Sequence, residues 1–352
     1  MRILHVLNHA KRANGHVEVA VDLACEQVSQ GHDVAFMSGT NHFVECLQRH
    51  GVEVFEFKEA GRWTGAALMP LRVSKAVSKF KPDIVNAHMV ASAAAAKIAQ
   101  IAARFKLVTT VHNPFDRQAK IMGIGDRIIA LGDVVRDELI AKGLSANRMR
   151  VVTNGTIGGA RRPEQPETTI ALNHPAIATV AGLHPRKGVG DLIDAFAISA
   201  ENHEACHLYI VGDGPDRELL EAKAGQLPCA NRIHFLGYLK DPREVLAEAD
   251  IFVLASYAEA YPLVLCEARH MNCAIIATTV GGNAQALEQG QCGLLVEPGQ
   301  PVELAQSLSR LLSDTGLRDQ LAAAASENLY FCSVERMASE TLKVYADVLQ
   351  KK

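Results

Sequence analysis

Short runs rich in β-branched residues alternate with helix-length amphipathic segments along almost all 352 residues, and this alternation limits the fold more than any other feature. RILHVL (2–7), DVAFMS (33–38), VEVFEF (52–57), DIVNAH (83–88), LVTTVH (107–112) and RIIAL (127–131) predict strands in the first half. AIATVAG (176–182), HLYIVG (207–212), RIHFLG (232–237), DIFVLA (250–255) and AIIATT (274–279) predict strands in the second. Helical periodicity lies between them, for example over 16–30, 66–80, 90–104, 187–201, 241–248 and 302–313. Apolar strands separated by helices require parallel sheets covered on both faces. The chain is too long for one core to grow comfortably, and NGTIGGARRPEQPETT (154–169) has the Gly, Pro and polar content of a linker. The expectation is two doubly wound α/β domains, 1–165 and 166–333. In such sheets ligands collect beyond the carboxyl ends of the strands, at the switch point.

Composition narrows the class. With 48% hydrophobic and 21% charged residues the chain is an ordinary globular protein, and no apolar run approaches the roughly 18–20 residues of a membrane span. MRILHVLNHAKR opens as a strand pattern followed by polar residues, not as a signal peptide. Eight cysteines without a C-x-x-C pair, mostly within apolar stretches, indicate reduced buried thiols in a cytoplasmic protein rather than disulfides or a zinc site. Net charge is −3. Residues 1–165 carry 22 Lys and Arg against 15 Asp and Glu, a net +7, and the remainder carries −10. The first half is therefore expected to meet an anionic partner or surface. Nucleic acid is not indicated, since no basic-aromatic reader motif occurs.

One stretch concentrates chemistry. In ASYAEAYPLVLCEARH (255–270), Glu259 and Glu267 bracket an apolar run, and buried carboxylates are costly unless something pairs with them. The preceding strand ends near Ala255, and Pro262 is placed to be the first helical residue. Glu259 then lies in the loop and Glu267 in the second turn. The backbone N–H groups of Tyr261, Leu263 and Val264 face out of the helix N-terminus, where an anion binds well. Carboxylates beside an anion site make sense as acceptors for hydroxyl hydrogens, such as those of sugar and ribose. A plain amphipathic helix with solvated acids is the alternative.

SYAEAYPLVLCEA is similar to the Glu–seven residues–Glu signature of glycosyltransferase family 4, roughly S-x-x-E-G-F-P-L-x-x-x-E-A. LHPRKGVGDLIDAF, LYIVGDGPDRELLE, IHFLGYL and VGGNAQALEQGQCGLLVEPG resemble further blocks of that family in the expected order. So do NGHVEVAVDLACEQVSQGHDV, TTVHN and VVTNGT in the first half. The resemblance implies the GT-B architecture, two Rossmann-like parallel-sheet domains facing across a cleft. The first domain would bind acceptor and the second nucleotide-sugar, with the last helix, 334–352, packing back on the first. It implies a retaining transferase needing no metal or other cofactor, with UDP-sugar the favoured donor. A lipid-linked, lipopolysaccharide or polysaccharide precursor would be the acceptor, met in the cytoplasm or at the inner face of the cell membrane.

By the same resemblance Glu267 holds the donor ribose, Glu259 the donor sugar, and the backbone of Tyr261, Pro262 and Leu263 the phosphate. Lys187 falls on the diphosphate-binding lysine, Gly15 on a loop that closes over the diphosphate, and His112 near the transferred sugar. Glu259, Lys187 and His112 form the expected catalytic set. His88 is divided between acceptor contact and packing. Five positions depart from the pattern, two of them, Asn272 and Ala274 in place of a glycine and a proline, bearing on helix termination only. Gly182 replaces an arginine five residues before Lys187, a loss for which Arg186 could substitute or else remain a surface residue. Ala260 replaces a glycine after Glu259, and His16 a second glycine after Gly15.

Competing readings are a nicotinamide-dependent dehydrogenase, a nucleotide-sugar epimerase and a degenerate nucleotide-sugar-binding subunit. GDGPDR (212–217) lacks the third glycine of a dinucleotide fingerprint, which disfavours the first. The Glu pair and Lys block favour transfer over epimerisation, and Gly182 keeps the third alive. AALMPLRVSKAVSKF (66–80) places Arg72, Lys75 and Lys79 on one side of a helix and Leu71 with Met69, Val73 and Phe80 elsewhere. That face is either solvated or a peripheral contact with anionic membrane.

Overall fold

The computed structural model describes residues 1–12, 14–58 and 62–350, with side chains described outside 62–66. It divides into two compact units, Met1–Pro163 with Tyr330–Lys352, and Glu164–Leu329. The division falls inside the Gly- and Pro-rich stretch.

The first unit holds a seven-stranded parallel sheet of β1 (Arg2–Val6), β2 (Asp33–Ser38), β3 (Glu53–Glu56), β4 (Ile84–Ala87), β5 (Lys106–Val111), β6 (Arg127–Ala130) and β7 (Met149–Val151), in the order β3-β2-β1-β4-β5-β6-β7. Chain order turns back between β1 and β4, so their carboxyl ends form the switch-point crevice. Ile3, Leu4, Val6, Ile84, Val85 and Ala87 at this centre are fully buried, as strands covered on both faces must be.

The second unit repeats the plan with β8 (Ala176–Val180), β9 (His207–Val211), β10 (Ile233–Gly237), β11 (Ile251–Leu254), β12 (Ala274–Thr278) and β13 (Leu294–Val296), in the order β10-β9-β8-β11-β12-β13. Here β8 and β11 are the switch-point pair, in register at Ile251 with Ile177 and Phe252 with Ala178. The loops that follow these two strands carry Lys187 and Glu259. Helix Val189–Ala200 buries Leu192, Ile193 and Phe196 in this core, and helix Pro301–Ser313 packs along it.

The last helix, Val334–Gln350, lies in the first unit against the helix Gly15–Ser29 and β5. Arg336 ties it down, donating from Nη1 to Thr153 O at 3.0 Å and from Nη2 to Asn154 O at 3.1 Å. Asn86 on β4 donates to the Tyr345 hydroxyl at 2.7 Å. A parallel bridge joins Ile157 to Ser333. Gly155 permits that approach, because a Cβ there would lie 2.1 Å from Ser333 O.

Some elements differ from the sequence reading. The helix expected over 90–104 ends at Ala99, where Gln100 turns its carboxamide to Phe105 O and Asp126 Oδ2, both at 2.9 Å. The helix 66–80 extends back to Arg62 and exposes Leu68 and Leu71. Leu71 therefore shares the solvent face with Lys75, against expectation. Arg72 and Lys79 instead turn toward β3 and the residues after it. Arg72 lies 4.6 Å over the Phe57 ring, and Lys79 pairs with Glu53 at 3.1 Å.

Candidate active site

In the second unit the site is built where three loops abut. Gly188 takes the left-handed conformation, φ 63°, and a Cβ on it would lie 2.0 Å from Ala255 O. The loop after β8 thus packs backbone to backbone against the loop after β11, joined by Tyr257 N donating to Arg186 O at 2.8 Å. From the loop after β12, Gly281 (φ 56°) approaches so closely that a Cβ would meet Glu259 O at 1.6 Å. Only glycine fits at either contact.

This packing brings Lys187 and Glu259 together. Lys187 Nζ lies 2.5 Å from Glu259 Oε1, with the side chains 18% and 7% exposed. Ser256 Oγ donates to the same carboxylate oxygen at 2.7 Å. Arg186 donates to Ala258 O at 2.8 Å and lies 4.0 Å from Glu259 Oε2. It braces the Glu259 loop, which is more than a surface role, although its side chain is half exposed. The helix begins at Leu263, and Pro262 precedes it as an extended N-cap, a correction of one residue to the expected start. Proline at this cap still suits the turn, since it contributes no backbone N–H to satisfy. Tyr261 is buried beside it, and Glu267 is buried in the second turn. Gly182 follows β8 at the same edge, exposed, and a Cβ there would lie 3.3 Å from the His184 ring and 3.9 Å from Asp213 O.

The first unit gathers histidines at its own switch point. His5 lies in β1, His88 just after β4 and His112 just after β5. His112, His88, His16, Met89 and Thr110 line a pocket of about 170 Å³. Gly15 opens the long helix beside it, and the His16 ring centroid is 5.7 Å from that of His112. Burial pushes His5 and His16 down to about 4, and His88 and His112 well below the usual range. All four are neutral near pH 7.

His88, expected either to contact acceptor or to pack, lines this pocket with its ring nitrogens turned to other histidines. The ring is 3% exposed, its Nε2 is 2.9 Å from His5 Nδ1 and its Nδ1 is 3.0 Å from His112 Nε2. Both nitrogens are occupied. Sequence reasoning missed His5 and Gln27 altogether, because each sits in an apolar pattern. A histidine in the middle of an otherwise apolar strand, RILHV, was the available signal.

Two doubly wound units, one with a Lys–Glu pair at a helix N-terminus beyond its switch point, make up a GT-B glycosyltransferase. The chain belongs to glycosyltransferase family 4. The family model "Glycosyl transferases group 1" matches residues 161–328, and "Glycosyltransferase Family 4" matches 13–156. Among characterised relatives, the lipopolysaccharide core biosynthesis glycosyltransferase LpsE of Rhizobium meliloti is 25% identical over 82% of this chain and 88% of its own. The N-acetyl-alpha-D-glucosaminyl L-malate synthase of Bacillus anthracis is 31% identical over 52% of this chain and 48% of its own. Among solved structures, Anabaena HepE in complex with UDP-glucose superposes with a TM-score of 0.81 at 22% identity, covering 97% of this chain and 99% of that one. WaaG, a glycosyltransferase involved in lipopolysaccharide biosynthesis, gives 0.76 at 18% identity over the whole of both chains. Among the described residues no helix is long and apolar enough to cross a membrane.

Proposed function

We propose that this glycosyltransferase moves a sugar, with retention of configuration and without a metal, from a UDP-sugar to a hydroxyl of a lipid-linked, lipopolysaccharide or polysaccharide precursor. The observation that carries the reading is the Lys187–Glu259 pair, set at the start of the helix whose second turn holds Glu267. Solved relatives of the same fold hold UDP and UDP-glucose, and LpsE and WaaG are named for lipopolysaccharide synthesis. Both point to this donor and acceptor class.

In this reading the Glu267 carboxylate accepts from the ribose hydroxyls and Glu259 from a hydroxyl of the donor sugar. The backbone of Tyr261 to Leu263 faces the phosphate, with Pro262 shaping the turn. Gly15 lets the start of the first long helix approach the diphosphate. During transfer the bond from the anomeric carbon to the β-phosphate oxygen breaks, and the acceptor oxygen bonds to the same face of that carbon. The acceptor proton passes to the departing phosphate, so no protein base is required. Charge grows on the diphosphate as the bond breaks, and Lys187 with the helix N-terminus stabilises it. Arg186 holds the loop that presents Glu259. His112 meets the transferred sugar, and His88 supports it from behind.

The exposed Leu68 and Leu71 beside Lys75, on a half of the chain with net charge +7, suit peripheral docking on anionic lipid. Vesicle co-sedimentation with and without anionic lipid tests this, and equal binding to neutral vesicles excludes it. The central experiment incubates the protein with a panel of nucleotide-sugars, in EDTA, and follows thermal stabilisation and nucleoside diphosphate release. Stabilisation by a UDP-sugar together with UDP release supports the assignment. Binding without release in the presence of lipid or saccharide acceptors supports a binding subunit instead.

A further inference from the structure

Three histidines form an unbroken hydrogen-bonded wire through the first unit, and the groups at its two ends determine what it offers. At the buried end, His5 Nε2 lies 2.8 Å from the Gln27 carboxamide oxygen, and Gln27 is fully buried on the helix Gly15–Ser29. His5 Nδ1 meets His88 Nε2 at 2.9 Å, and His88 Nδ1 meets His112 Nε2 at 3.0 Å. The open end is His112 Nδ1, which is buried and has no hydrogen-bond partner among the described residues. His112 lines the pocket beyond β4 and β5.

A neutral imidazole carries one proton, so each ring must donate from one nitrogen and accept at the other. A carboxamide oxygen only accepts. His5 therefore donates from Nε2 to Gln27, which leaves its Nδ1 bare. His88 must donate to that atom from Nε2, leaving its own Nδ1 bare, and His112 must in turn donate from Nε2. The last atom, His112 Nδ1, is left as a lone pair. Burial keeps all three rings uncharged near neutral pH, which is the condition for this one-way order. In this orientation Gln27 Nε2 is buried without a hydrogen-bond partner among the described residues, and turning the carboxamide by 180° would reverse every donor and acceptor, so one buried amide decides what reaches the pocket.

We propose that Gln27 is a positioning residue that acts through His5 and His88 to hold His112 as its Nε2–H tautomer, so that His112 Nδ1 accepts a hydrogen bond from a ligand hydroxyl in the pocket. That the hydroxyl belongs to a sugar rests on the proposed glycosyl transfer; the wire itself does not. A buried acceptor with no proton to offer discriminates against ligand groups that cannot donate, because they leave it unpaired.

The test reads tautomers directly, by long-range proton–nitrogen NMR of the full chain labelled with ¹⁵N-histidine at pH 7, assigned by single histidine substitutions. His5, His88 and His112 are expected to be protonated at Nε2 and bare at Nδ1. Gln27→Glu supplies another acceptor at the same place and should keep this pattern, whereas Gln27→Met, close in volume, should lose it. A proton on His112 Nδ1 in the unsubstituted protein, or an unchanged pattern in Gln27→Met, overturns the proposal. These spectra need no ligand, so they decide the wire even if the glycosyl-transfer reading fails. The second arm compares UDP-glucose with its monodeoxyfluoro analogues, since fluorine cannot donate. One analogue should bind about 3- to 10-fold more weakly, the worth of a single hydrogen bond. Its loss should shrink in His112→Phe. Equal binding by all analogues overturns the acceptor role.

Discussion

Lys187 and Glu259, 72 positions apart, are joined by a 2.5 Å contact between Nζ and Oε1, so the cation proposed to meet diphosphate is held by the carboxylate proposed to meet the sugar. Nucleotide must compete with Glu259 for Lys187. Removing the competitor should leave UDP affinity unchanged or raise it: Glu259→Ala is expected to bind UDP at least as tightly as the unsubstituted protein while turnover falls. Glu267→Ala should weaken UDP itself by about 10-fold or more, the effect of losing a charged hydrogen-bond acceptor. Calorimetric titration of UDP into both variants checks this, and equal losses of affinity would refute the division of roles.

Lys187→Ala removes the cation from both partners at once. Turnover is expected to fall by at least about 10²-fold, as for other preorganised charge-stabilising groups. Glu259, 7% exposed, would keep Ser256 as a donor but lose its close cation, so the unfolding midpoint should fall as well. Lys187→Arg separates the two effects, since it retains charge. Stability recovered without activity would mean that the compact ammonium is required. Full activity in a folded Lys187→Ala protein would place the diphosphate elsewhere.

Gly281 packs against the backbone of Glu259. With φ at 56° and a Cβ position 1.6 Å from Glu259 O, Gly281→Ala cannot be accommodated without moving the loop. A stability loss near the upper end of the ordinary range, about 3 kcal/mol, is expected, along with loss of transfer. Gly225, where a Cβ meets nothing, provides the control, and Gly225→Ala should be close to neutral. Chemical denaturation of the two variants measures the difference.

Most of the fold was legible because apolar runs of four to six residues mark strands clearly. β7 and β13 escaped, each being only three residues long and last in its sheet, too short to show a period. Glu259, Glu267 and Lys187 could be read one by one, but their spacing along the chain says nothing of which two touch. That follows from β8 and β11 lying side by side at the switch point. His5 and Gln27 were invisible for a different reason. A buried polar residue in an apolar pattern looks the same in sequence whether it is merely tolerated or hydrogen-bonded end to end.

Cys46 offers a pH-dependent prediction outside the site. It lies on the helix Val44–Arg49 with its S–H directed at Ala160 O, 3.6 Å away, and interaction with the Cys25 thiol, helped by His50, lowers its thiol to about 7 against the opposing effect of burial. The thiolate is the reactive form, so alkylation of Cys46 should speed up as pH rises, with a midpoint near 7 rather than the usual ~8.5. The seven other thiols are buried and should react more slowly. Peptide mapping after brief iodoacetamide treatment across pH 5–9 checks the midpoint. Cys25→Ala should shift it upward, toward the ordinary value.

Gly182 tests whether the lost arginine matters. The residue is exposed; its added Cβ would press only on the edge of the exposed His184 ring at 3.3 Å, which has room to yield, and would lie in ordinary contact with Asp213 O at 3.9 Å. The position therefore does not demand glycine, and Gly182→Arg should fold with stability within about 0.5 kcal/mol of the original. If Lys187 carries the leaving diphosphate alone, a second cation on the loop after β8 should raise turnover and partly rescue Lys187→Ala. Arg186→Ala is the companion variant. Its guanidinium holds Ala258 O and faces Glu259 at 4.0 Å, so its removal should loosen the Glu259 loop and lower turnover without a large loss of UDP affinity. A comparable fall in both turnover and UDP affinity would show instead that Arg186 meets the diphosphate itself, taking over the part of the missing arginine. In that case Gly182→Arg should bring no gain.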